Sequence, residues 1–488
     1  MSGGQNEGLE TFNLPVTTQT ESIADVVISD TLTREQFSQL QELLSRHAGI
    51  LTDVPGRAIG YEHTIKLMTD EPVRTKNYAM PQAIKAQLRQ EVENMLQAGI
   101  IEHSNSAYSS PSVAVKKRDG SLRYCIDFRK VNNISVFDSE PMPSLDELFQ
   151  DIGESSVVLT KIDLSKGYWQ IPLAEQSKHI TAFATELGLF HFLCLPFGLA
   201  SAGASFSRLM RRVLSGLPNV VNYLDDILVY SPNFSQHLIT LSSVFERLHN
   251  AGLTVRPSKC MLAFPRLEFL GHMIGGGELS PVIDKVSAIR DAACPRTKKQ
   301  MQSFLGLANF YRRYVPSFST IVAPLTDTLK KGTPNHILWN ETMENAFDEI
   351  KCALTSAPIL KLPDFNRPFQ VAVDASDTGL GAVLTQMYGD EKFPVIYLSR
   401  KLLPREARYS VVERECLALV WAVKKLHTYL YGREFVIESD HAPLLHLNKA
   451  KSENGRLMRW ALLLSQYRFR IISVRGSLNF GPDWLSRA

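Results

Sequence analysis

The sequence predicts an α+β protein of more than one domain, and three observations carry that prediction. Short apolar strands alternate with amphipathic helices from about Tyr61 onward. Near Pro363 the order changes to strand, strand, strand, long helix, strand, an α+β layer able to fold by itself. Single acids stand at the ends of apolar strands, where burial is costly unless they are paired or hold a cation.

The bulk numbers agree. The chain has 488 residues, 44% hydrophobic and 21% charged, which is ordinary globular composition with core for several domains. No run approaches the roughly 18 apolar residues that a membrane span needs, and the polar start lacks a signal-peptide core, so no membrane partner is expected and the site of action is cytoplasm or nucleus. The six cysteines are scattered singly, which excludes a Cys-x-x-Cys zinc pair and a disulfide framework; they read as reduced, mostly core residues. Net charge is only +3, but Lys298, Lys299, Arg312, Arg313, Lys330 and Lys331 crowd one region and Arg456, Arg459, Arg468, Arg470 and Arg475 another. A phosphate backbone responds to such local basic surface rather than to net charge, although each cluster taken singly also reads as a solvated face.

Along the chain, residues 1–60 read as a linker-like lead with a short helix from Thr33 to His47, and folded structure is expected from about Tyr61. Ile84, Leu88, Val92 and Met95 repeat at helical spacing, with Gly99 as the stop. VAVKKRDGSLRYCIDF is a hairpin pattern turning at Asp119-Gly120. VVLTKIDL is a buried strand ending in Asp163. Val220 and Val221 lead into Tyr223-Leu224-Asp225-Asp226, and Ile227, Leu228 and Val229 lead out, so two buried strands meet at an acidic tip. FLGHMI is a further strand, followed by three glycines. Thr297 caps a helix carrying Met301, Phe304, Leu305 and Ala308. FQVAVDAS, GAVLTQ, PVIYLS, a helix from about Ser410 to Tyr431, and FVIESD complete the second layer.

Asp163 with Asp225 and Asp226 could hold divalent cations, because Mg²⁺ prefers hard oxygen ligands. The alternatives are a polar hairpin turn and a helix cap. Asp374, Glu415, Asp440 and Asp483, at the ends of different elements, are a second such set. Glu413 rivals Glu415, but two residues apart on a helix they face different ways.

From about Tyr61 to its end the chain resembles the reverse transcriptase and ribonuclease H segment of gypsy-like long-terminal-repeat retrotransposons, the metavirus group. SPSVAVKKRDGSLRYCIDFRKVN, KIDLSKGYWQI, LPFGLASAGASFSRLM, NYLDDILVYS, FLGLANFYRRYVPSFS and VDASDTGLGAVLTQ carry the resemblance, in order. It implies a right-hand polymerase with fingers and palm over 61–253, palm end and thumb over 254–316 and a connection over 317–363, then a ribonuclease H domain over 364–488. It implies that Asp163, Asp225 and Asp226 are the polymerase metal ligands, and that Arg123 with Lys116 or Lys117 clamps the triphosphate. Tyr168 would lie under the incoming sugar and exclude a 2′-hydroxyl, with core packing as its alternative role, and Phe197 and Gly198 would line the nucleotide pocket. Asp374, Glu415, Asp440 and Asp483 would hold metal for the nuclease. The implied cofactor is Mg²⁺, two ions per site, with Mn²⁺ as a substitute. The implied partners are an RNA template, a DNA primer, RNA:DNA hybrid and dNTPs, within a cytoplasmic virus-like particle or the nucleus, with a homodimer left open.

The family's usual Ala-Pro pair is Ala202-Gly203 here, which frees the backbone locally. No His lies between Arg468 and Asp483, where many ribonucleases H keep one. Phe310, Tyr311, Arg312 and Arg313 are candidates for gripping the duplex, with helix packing as the alternative for the aromatics. Asp377-Thr378-Gly379 has the form of an aspartic protease signature, but it falls at a turn directly after VDAS, where glycine is expected. A domesticated nucleic-acid-binding relic and a pararetroviral polymerase are the competing readings.

Overall fold

A computed structural model describes residues 20–78, 82–116, 122–154, 156–356, 359–439 and 455–473. The chain divides into two compact units, the first comprising residues 1–152 with 156–267 and the second 153–155 with 268–488.

The first unit is built around a five-stranded sheet in the order Val27–Ile28, Met261–Phe264, Val158–Asp163, Asp226–Ser231, Val220–Tyr223. Of the two strands expected around the acidic tip, Asp226–Ser231 lies inside the sheet beside Val158–Asp163, with Ile162, Ile227, Leu228 and Val229 fully buried, whereas Val220–Tyr223 forms the sheet edge and is mostly half-buried. Helices Ala202–Leu214 and Phe234–Asn250 add their apolar sides to the same core through Phe206, Leu209, Met210, Leu241, Val244 and Phe245. A smaller sheet of Ile101–His103, Gly188–Phe192 and Phe183–Thr185 and the hairpin of Ser112–Lys116 with Leu122–Ile126 complete the unit. The turn expected at Asp119-Gly120 lies outside the described residues.

One expectation is corrected. Folded structure does not begin near Tyr61: Val27 and Ile28 pair in parallel with Met261 and Leu262 at the sheet edge, and helix Arg34–Arg46 buries Leu40, Leu43 and Leu44 in the main core. Thr33 and Gln36 form its capping box. A strand of two residues has no periodicity to detect, so its pairing with a segment more than 200 residues away left no trace in the sequence.

In the second unit, FLGHMI is not one strand. Leu270 and Gly271 both take positive φ (48° and 79°), which turns the chain between strands Leu267–Phe269 and His272–Gly275. The later layer follows its expected grammar: Glu391–Lys401, Gly379–Tyr388 and Phe369–Ala375 run antiparallel, and Glu434–Ser439 and Arg468–Ser473 add in parallel. Helix Val411–Lys425 buries Ala418, Leu419, Ala422 and Val423 against Val371, Val373 and Ile437. The expected helix to Tyr431 is interrupted at Leu426 and resumes as His427–Leu430. Four of the six free cysteines are buried. Among the described residues no helix is long and apolar enough to cross a membrane.

Buried histidines make the first unit acid-sensitive. His237 is fully buried between the Thr160 hydroxyl (2.7 Å) and the Ser231 hydroxyl (3.2 Å), and burial pulls it down to about 4. It stays neutral in the fold while the unfolded chain takes up a proton below about pH 6.5. The unfolded state therefore binds more protons between these values, and stability falls as pH falls through that window. Unfolding free energies from urea titrations at pH 7.5 and pH 5 are expected to differ by about 2 kcal/mol from this residue alone, and His237→Gln should flatten that dependence. An equal slope in wild type and variant would refute it.

Candidate active sites

The first site is assembled by strand register. Asp163, last in its strand, stands directly opposite Asp226, the first residue of the neighbouring strand, and Asp226 also pairs with Tyr223. Leu224 and Asp225 are thus the two turn residues of a tight hairpin, and Leu224 takes the positive φ (53°) that such turns require. The loop after Asp163 closes over this tip: a Cβ on Gly167 would lie 3.2 Å from the Asp225 Cβ and from Phe206, so only glycine allows that approach comfortably. The sheet and the loop bring Asp163, Asp225 and Asp226 together, as the sequence predicts.

Like charges directly opposite each other on a sheet are destabilising, so this arrangement has to be offset. Asp163 is buried, and burial pushes its carboxyl up to about 6, with Lys259 pulling back and Asp225 and Asp226 adding repulsion. Burial, then Asp226, raises Asp225 as well. Two ammonium groups relieve the charge: Lys259 Nζ lies 3.3 Å from Asp163 Oδ2, and Lys161 Nζ lies 3.1 Å from Asp226 Oδ1. Among the described residues no group of three or more His, Cys, Asp or Glu is disposed to hold a metal ion. The donor set is nonetheless all oxygen and strongly anionic, which fits a hard divalent cation.

Sequence reasoning missed Lys259, Lys161 and the brace behind them. The Asp163 carbonyl accepts a hydrogen bond from the Arg256 backbone (2.9 Å), and the Arg256 guanidinium is held by Glu21 (2.7 and 2.9 Å). Buried Gln170 ties the Asp163 loop to Thr254, donating to the Ser165 and Thr254 carbonyls and accepting from the Thr254 backbone. None of these pairs has a spacing signal, because their members lie on separate elements.

Tyr168 sits beside the hairpin, its ring in edge contact with Phe197 (5.1 Å) and Phe206 (5.3 Å). Gly198 (φ 91°) lies against Ile126 and Phe128, and its carbonyl accepts from Asn132. This joins the Phe197-Gly198 turn to the end of the strand that carries Arg123. Arg123 pairs with Val115, and Lys116 with Leu122, in the hairpin register. Lys117 lies outside the described residues.

In the second unit, Asp374 lies one residue before the end of its strand, paired with Gly381, and its Oδ1 accepts from the Ala375 backbone. Glu415 is buried on helix Val411–Lys425, which packs on that strand. Glu413 faces elsewhere, closing the capping box with Ser410 and binding Arg456 (2.7 Å). Arg414 bonds Asp377 and the Ser376 carbonyl, so the Asp377-Thr378-Gly379 triplet is a strand-connecting turn braced from the helix. Asp440, directly after strand Glu434–Ser439, and Asp483 lie outside the described residues.

Of the duplex-gripping candidates, Tyr311 and Arg313 are buried, and Arg312 donates to the Ser399 carbonyl (2.7 Å). Phe310 and Arg312 are exposed, with Phe310 stacked on His272. For Tyr311 the packing alternative holds, since with Tyr314 it fills the space around buried His272.

Residues 115–274 match the family described as reverse transcriptase (RNA-dependent DNA polymerase), and residues 364–467 the RNase H-like domain found in reverse transcriptase. The chain carries a reverse transcriptase domain and an RNase H-like domain of the kind found in reverse transcriptase. Both kinds of domain depend on divalent metal. This reverse transcriptase segment is 38% identical over 469 residues to the retrovirus-related Pol polyprotein from transposon 297 of Drosophila melanogaster, covering 94% of the chain and 44% of that protein. It is 33% identical to the Pol polyprotein from transposon gypsy of the same species, covering 99% of the chain and 48% of that protein. The chain thus spans about half the length of the curated relatives it matches. The foamy viral protease-reverse transcriptase in complex with dsDNA superposes with a TM-score of 0.83 at 25% identity, over 95% of this chain and 99% of that one.

Proposed function

We propose that the chain is an RNA- and DNA-directed DNA polymerase with a tethered ribonuclease H that cleaves the RNA strand of RNA:DNA hybrids, copying retrotransposon RNA into DNA. The observation that carries this reading is the opposition of Asp163 and Asp226 with Asp225 at the hairpin tip beside them. Such a cluster is unfavourable in itself and is explained by the cation chemistry of nucleotide transfer. Two Mg²⁺ ions per site, replaceable by Mn²⁺, would stabilise the developing charge on the attacking and leaving oxygens.

The residues divide the work. Asp163, Asp225 and Asp226 hold the cations, Arg123 with Lys116 or Lys117 grips the dNTP triphosphate, and Tyr168 lies under its sugar. Phe197 and Gly198 line the pocket. Asp374, Glu415, Asp440 and Asp483 form the nuclease site. The reading includes fingers and palm to about Leu253, thumb to about Pro316, a connection to Pro363 and a ribonuclease H domain beyond it. RNA template, DNA primer and hybrid are the partners, a homodimer is compatible with the reading, and a cytoplasmic virus-like particle or the nucleus is the proposed location.

A combined extension and hybrid-cleavage assay with Mg²⁺ tests it. Asp374→Asn is expected to lose hybrid cleavage by about 10³-fold while extending primers at the wild-type rate. Tight hybrid binding by the wild type with turnover of neither kind would instead favour a non-catalytic binding protein.

A further inference from the structure

Gly203 is the second residue of helix Ala202–Leu214, and nothing in its local structure asks for glycine. Its φ lies outside the positive range. A Cβ there would meet its nearest neighbours, Leu224 Cδ2 and the Tyr168 hydroxyl, at 3.8 Å each, which is ordinary van der Waals contact. Helix propensity argues against glycine, which is less favourable than alanine in such a position. A residue that departs from local preference with no backbone or packing reason, beside two residues of a working site, points to function.

The two neighbours make the point specific. The Tyr168 ring is fixed on its sides by Phe197 and Phe206, so those contacts set its plane, and its hydroxyl end is where Gly203 lies. Leu224 is the left-handed residue of the hairpin, directly before Asp225. One missing methyl therefore borders both the residue under the incoming sugar and the tip that carries the acids.

We propose that Gly203 is a specificity-determining position of the nucleotide pocket: its missing Cβ gives the Tyr168 hydroxyl and the Leu224 side chain room to recede from the sugar of the incoming nucleotide. The proposal rests on the reading of Tyr168 as the sugar-facing residue. A side chain at 203 fills that room and tightens the choice between deoxyribose and ribose.

Single-nucleotide incorporation on a primed RNA template, with dNTP and with the matching rNTP, tests this. Gly203→Ala is expected to raise the dNTP:rNTP ratio of kcat/KM by roughly fivefold or more, since one methyl group in a fitted pocket is worth about that or more. Its Tm should be equal or higher by about 2 °C, from helix propensity. Gly203→Ser, similar in size, should move the ratio in the same direction. In a Tyr168→Phe background the effect of Gly203→Ala should shrink to less than about twofold, because the hydroxyl it touches is gone. An unchanged ratio in a well-folded Gly203→Ala overturns the proposal. Tyr168→Ala separates the two readings: if it relaxes sugar selection while Gly203→Ala is silent, only the Gly203 proposal falls. If Tyr168→Ala leaves sugar selection intact, both fall.

Discussion

Asp225→Asn is expected to lower primer extension by about 10³-fold or more on RNA and DNA templates alike, with hybrid cleavage unchanged. The substitution keeps the shape of the side chain and removes its charge. It also removes a repulsion: burial and Asp226 both hold the Asp225 carboxyl above its usual range, so its ionised form is disfavoured by the fold at pH 7. A group whose pKa is raised on folding costs stability above its unfolded pKa, and a neutral amide avoids that cost. The variant should therefore melt at the wild-type temperature or slightly above it. That combination, activity lost and stability kept, separates lost chemistry from a lost fold. Primer extension, hybrid cleavage and a thermal melt on one preparation provide the check; extension at the wild-type rate would remove Asp225 from the site.

The candidate sites were legible in the sequence to the extent that they are built from local signals. Tyr223-Leu224-Asp225-Asp226 flanked by apolar runs reads as a hairpin because turn and strands are contiguous, and Asp163 could be placed at a strand end for the same reason. Glu413 and Glu415 could be told apart because helical periodicity is local. The lysines that neutralise the acids, the Glu21–Arg256 brace and the Gln170 ties were not legible, since their members meet only through the tertiary fold. The lead before Tyr61 failed for a related reason. Its few periodic apolar runs read as a linker-like lead, but Asp53 accepts from Thr20 and Glu21, and Glu21 binds Arg256, so polar contacts hold the segment down. FLGHMI misled because Leu270 offers no sign of a left-handed conformation. The basic cluster at Arg312 and Arg313 shows that charge in a sequence does not say whether it meets solvent or a carbonyl.

Lys392→Met is expected to destabilise the second unit by about 1–3 kcal/mol, the cost of leaving a buried acceptor without its hydrogen-bond partner. Lys392 lies on strand Glu391–Lys401 and donates to both oxygens of Glu438 at 2.7 and 2.6 Å. Glu438 is 6% exposed while the Lys392 side chain is 34% exposed, so water replaces the lost ammonium only in part. The register makes the loss matter for chemistry, because Glu438 pairs with Ala372, two residues before Asp374 on the same strand. Hybrid cleavage should therefore fall at temperatures where primer extension persists. The double variant Lys392→Met with Glu438→Leu is the informative control: if the single loss reflects an uncompensated carboxylate, removing that carboxylate restores most of the stability, because a buried ion pair replaced by apolar groups is often neutral. Urea midpoints of the wild type, the single and the double variant decide between the alternatives. A double variant no more stable than Lys392→Met would mean that the lysine acts through packing of its stem rather than through its charge.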